Sequence, residues 1–174
     1  MRIIFLLLLT ANITIGQNNA EAKKMALPNS NYVRSVDNLS LQAAFEINNR
    51  VTKAAELLHK KVSIAVLDAS GTIILLSRGD GVGPHNTEAA RRKAYTALST
   101  KTETLKLLRN AEQNPDTQNL KTLPELLLLS GGAPIWYNGN VIGSIGVAGG
   151  GSPENDDRLA KSAALPELGI TITQ

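Results

Sequence analysis

APIWYNGNVIGSIGVAGG, residues Ala133 to Gly150, reads as a β-hairpin. Two apolar runs flank Asn138-Gly139, the pair that most readily supplies the left-handed backbone of a two-residue turn. In the second run, alternate residues fall on opposite faces. One face carries Val141, Gly143, Ile145 and Val147, and the other Ile142, Ser144, Gly146 and Ala148. The second face is small towards its end. Small side chains let another body approach the backbone, and a helix is the preferred occupant over a flat ligand.

Upstream, KVSIAVLDASGTIILLSRG (Lys61 to Gly79) repeats the pattern, with Asp68 to Gly71 as the turn between two Val- and Ile-rich runs. Helices surround the hairpins. Leu41, Ala44, Ile47, Val51, Ala54 and Leu58 recur every three or four residues, so a helix starts near Ser40 and places His59 at its last turn. Further helices are predicted over Thr87 to Ser99 and Glu103 to Ala111. LPELLLLSGG then reads as a buried strand, with a helical turn as the alternative. A last helix opens on Ser152 as N-cap and Pro153 at its first position, with acidic residues in the first turn where the helix dipole favours them. Helix, hairpin, helices, strand, hairpin, helix is the order of an α+β domain with a mostly antiparallel sheet.

The N-terminus MRIIFLLLLTANITIGQ has a basic residue, an apolar run and small residues near Gly16, the layout of a secretory signal peptide over residues 1–16. The run is too short to span a bilayer, so no membrane insertion is expected after cleavage, and export to the periplasm or beyond the cell follows. Residues 17–38 are polar and aperiodic, a linker or arm, and residues 39–174 hold one domain. The chain has no cysteine, which excludes disulfides, thiolate metal sites and a Cys nucleophile together. A net charge of +3 and 3% aromatic residues argue against nucleic acid as a partner.

Few residues in the chain suggest chemistry. Of the two histidines, His85 lies between a glycine-rich loop and a helix bearing Arg91, Arg92 and Lys93. A neutral imidazole can ligate iron, and the cations beside it could hold a ligand's carboxylates. The plainer reading makes the histidine a surface residue and the arginines a solvated helix face. His59 is explained by its helix end. His85-x-x-Glu88 lacks the further ligands a zinc site needs. GVAGGGSPEN has neither the spacing nor the lysine of a phosphate loop, and its helix starts acidic, so no nucleotide cofactor is expected. No G-x-S-x-G elbow marks a hydrolase.

Taken together, VSIAVLDASGTIILLSRGDG, EAARRKAYTALSTKT and LPELLLLSGGAPIWYNGNVIGSIGVAGGGSPENDDRLAKSAA resemble the GlcG/HbpS family, also called the haem-degrading domain family, over residues 39–165. The D-x-x-G hairpin followed by R-x-D-G, the A-R-x-K-A-x-T-A helix and the glycine-rich ending before an acidic helix carry the resemblance. It implies a profilin-like three-layer domain with a central, mostly antiparallel sheet flanked by helices. It also implies a homo-oligomer that binds haem or a related tetrapyrrole, as do the C-terminal domains of certain corrinoid adenosyltransferases. The family framework falls on Gly71, Gly81, Gly131, Gly132, Gly143 and Gly146, and LSTKTET stands where F-x-x-P-T is common. No haem ligand carries over from the family. His85 is therefore chosen on position as the metal ligand, with Arg91 and Arg92 as propionate contacts. Two alternatives stand beside haem binding. One is an enzyme, breaking haem down oxidatively or acting on a small organic acid; the other is a non-catalytic accessory module of a signalling system.

Overall fold

The computed structural model describes Tyr32 and residues 34–173. The expected signal peptide and most of the arm lie outside the described residues. The elements run α1 (Leu41–Leu57), β1 (Ser63–Asp68), β2 (Ile73–Arg78), α2 (Pro84–Thr100), α3 (Thr104–Gln113), β3 (Gly132–Tyr137), β4 (Asn140–Ala148), α4 (Pro153–Lys161) and β5 (Ile170–Thr171). The five strands form one sheet in the order β2-β1-β4-β3-β5, and every pairing is antiparallel. The expected α+β class and three-layer arrangement are observed. Among the described residues no helix is long and apolar enough to cross a membrane.

Alternation within the strands decides which helix sits where. Ile64, Val66, Ile145 and Val147 face Ala44, Ile47 and Val51 of α1 and Leu159 and Ala160 of α4, forming the larger core. The opposite face of the sheet presents Ala65, Leu67 and Ala148 to Ala90 and Ala94 of α2. Ala65, Gly146 and Gly132 stand in register across three strands. A Cβ at Gly146 would collide with the Ala90 carbonyl, and one at Gly132 with the Lys93 carbonyl. The small face of β4 is therefore the seat of a helix.

Three local expectations are corrected. Helix α2 starts at Pro84, because Gly83 serves as its N-cap and proline is suited to the first helical position; His85 therefore lies in the first turn of a helix rather than in a loop. The LPELLLLSGG segment forms no strand before Gly132. Its backbone is held by α2 instead: Arg92 Nη2 donates to the carbonyls of Pro124 (2.7 Å) and Leu126 (2.9 Å), and the Leu127 amide donates to Thr96 Oγ1 at 2.8 Å. His59 lies beyond the last turn of α1 with φ +53°. Its amide bonds to Glu56 O and that of Lys60 to Ala55 O, closing a Schellman motif.

Candidate functional site

Helix α2 carries the three residues singled out from the sequence. At 3.6 residues per turn, His85, Glu88 and Arg92 share one face, with His85 and Arg92 about 10 Å apart along the axis. The His85 side chain is exposed and folds back over its N-cap. A Cβ at Gly83 would lie 2.8 Å from His85 Cε1 and 3.0 Å from Nδ1, so the missing side chain leaves room for the ring.

The basic cluster is divided by the fold. Arg91 grips Glu88 with two bonds (2.9 and 2.7 Å) and reaches Glu125 at 3.0 Å. The hydrogen bond to Glu88 raises the affinity of Arg91 for its proton above the ordinary value, partial burial opposes it, and Glu125 adds to it. In return, the bond from Arg91 holds the Glu88 carboxyl below its ordinary range against a smaller effect of burial. Lys93 is buried on the sheet side, where its Nζ donates to Val147 O (2.9 Å) and Asp156 Oδ2 (2.7 Å). Asp156 also accepts from the Gly150 amide at 2.7 Å, so this carboxylate organises the glycine loop entering α4. The helical spacing of Ala90, Ala94 and Ala97, all buried, was the sequence signal that Lys93 faces inward.

Arg92 stands at the edge of a cleft of about 500 Å³. Its walls are Leu108 and Ala111 of α3 and the extended Leu126 to Leu129, with Glu112, Gln118 and Lys121 also in the lining. Leu129 is 50% exposed, and Arg92 Nε is buried with no acceptor among the described residues. An apolar wall beside a cationic edge suits a flat, apolar molecule bearing carboxylates. Read as a strand from the sequence, the leucine run concealed this cleft.

A model of the family described as haem degrading protein, HbpS-like, matches residues 39–165. The chain belongs to this family. Protein GlcG of Escherichia coli K12 is 36% identical over 110 residues, 63% of this chain and 81% of GlcG. Corrinoid adenosyltransferase PduO of Citrobacter freundii is 28% identical over 151 residues, 86% of this chain and 45% of PduO. The chain thus spans less than half the length of that relative. Among solved structures, a double mutant of HbpS from Streptomyces reticuli superposes with a TM-score of 0.71 at 34% identity, covering 79% of this chain and 92% of that one. PduOC, solved as a haem complex, gives a TM-score of 0.70 at 26% identity over 79% and 99% of the two chains. The apolar wall and the Arg92 guanidinium fit the haem named in the family description and in the PduOC complex, while His85, two turns earlier on α2, does not line the cleft.

Proposed function

We propose that this protein is an exported, oligomeric binder of haem or a related tetrapyrrole, serving its sequestration, sensing or breakdown. The observation that carries the reading is the leucine cleft beside Arg92, on the same helix face as His85. Its support is membership of the HbpS-like family and the likeness to PduOC in its haem complex. In this reading the His85 imidazole would ligate the iron, and Leu126 to Leu129 would supply an apolar surface for the group. Arg92, at the edge of the cleft, would meet a propionate in a charge-assisted bond, worth more than a neutral one. Arg91 can join only by exchanging Glu125 or Glu88 for the propionate. Bound haem would supply a redox-active iron, and the chain supplies the apolar enclosure and the anchoring charges.

Titration of the purified protein with haemin tests the site. A saturable absorbance band is expected. Leu129→Glu, which puts a carboxylate on an exposed wall, should weaken binding about tenfold, the equivalent of roughly 1.4 kcal/mol. Equal affinity in that variant would place haem elsewhere. Decay of the band with reductant and oxygen would mark breakdown rather than storage.

A further inference from the structure

A second concavity lies away from the α2 face, where the end of α1 meets the end of β2. It measures about 290 Å³ and is lined by Lys60, Lys61 and Arg78 among others. Some cations of the described surface are neutralised, Arg50 by Glu46 and Glu167, Arg91 by Glu88 and Glu125, Lys161 by Glu103 and Asp157, while others, such as Lys106, Arg109 and Lys121, form no ion pair among the described residues. Lys60, Lys61 and Arg78 form no ion pair among the described residues, although Glu56 and Asp80 line the same cleft. The backbone holds these cations in place. The Gly79 amide donates to Val62 O at 3.0 Å, clamping the residue after Arg78 against the residue after Lys61. Gly79 passes so close that a Cβ there would stand 3.2 Å from Lys61 Cβ. Gly151, at φ +90°, leaves the space beside Lys60 Nζ, which a Cβ would approach to 3.1 Å. Neutral donors complete the lining. Ser77 Oγ donates to Asn48 Oδ1 at 2.6 Å, which orients the Asn48 amide and leaves its NH₂ group to give.

We propose that this cleft binds a small anion, a carboxylate or a phosphate, through Arg78, Lys60 and Lys61. Three cations against two carboxylates leave one positive charge in excess, and about 290 Å³ is ample for a small anion. The planar fork of arginine matches either oxyanion in two parallel hydrogen bonds. The cleft is distinct from the leucine cleft, with which it shares no lining residue.

Calorimetric titration of the haem-free protein with malonate and, separately, inorganic phosphate, against sodium chloride at matched ionic strength, tests the proposal. Saturable binding with a dissociation constant on the order of 1 mM is expected for at least one anion, and the tighter of the two identifies the ligand class. Arg78→Gln and the double variant Lys60→Gln/Lys61→Gln should each weaken it about tenfold, while Lys106→Gln on α3 should not. No saturation by either anion above the chloride control, or unchanged binding in both cleft variants, would overturn the proposal.

Discussion

At the scale of single residues, glycine 83 and aspartate 68 show how a side chain's role is set by its immediate neighbours. Gly83 caps α2 with φ −61° and ψ 142°, angles that alanine also adopts, so Gly83→Ala brings no backbone strain, but alanine is the poorer N-cap and the change should cost roughly 0.5–1 kcal/mol. The added Cβ would nevertheless press on the His85 ring. If that ring ligates iron, haemin affinity in Gly83→Ala falls about tenfold while the protein remains folded; unaltered affinity would count against His85. Asp68 closes the β1–β2 turn. Burial alone would raise its pKa, but bonds from Ser70 Oγ, the amides of Thr72 and Ser70, and Asn38 outweigh it and leave the carboxyl below its ordinary range. A carboxyl depressed by folding adds stability above its unfolded pKa, and that contribution fades as pH falls through the folded value. Asp68→Asn should therefore lose stability at neutral pH and show a shallower loss between about pH 5 and pH 2 in urea titrations. An acid limb as steep as the wild type's would contradict this.

At the scale of elements, α2 is held by what the sheet lacks and by one buried charge. The glycines of β3 and β4 let the helix backbone approach the sheet, and Lys93 then crosses to Asp156 on α4, joining helices from opposite faces. With Lys93 at 4% and Asp156 at 12% side-chain exposure, removing one partner strands the other charge. Lys93→Met should cost about 3–5 kcal/mol in denaturant unfolding, and a cost below about 1 kcal/mol would show that the pair contributes little. Both hairpins, the helix order and the helix-facing side of β4 were legible in the sequence, because turn chemistry and two-residue alternation are local signals. The leucine run was not. Four consecutive apolar residues resemble a buried strand, and only the fold reveals that Arg92 and Thr96 provide its hydrogen bonds. The start of α2 was placed three residues late because a glycine N-cap carries no side-chain signal.

At the scale of the whole molecule, a three-layer α+β domain carries, among its concavities, two of different character. One is leucine-lined with a guanidinium at its edge; the other is small and rich in unpaired cations. Sequence alone directed attention to His85, Arg91 and Arg92 as one cluster. The fold keeps His85 and Arg92 on a common face, engages Arg91 with two glutamates, and turns Lys93 inward. Lys60, Lys61 and Arg78 do not stand out as a group in the sequence because 16 residues separate the lysine pair from the arginine, and antiparallel pairing of β1 with β2 brings them together. The most direct test of haem ligation compares the visible spectra of the wild-type protein, His85→Ala and His59→Ala during titration with haemin. Ligation by His85 predicts a saturable band in the wild type and in His59→Ala, and its loss or displacement in His85→Ala. A His85→Ala spectrum identical to that of the wild type would contradict it.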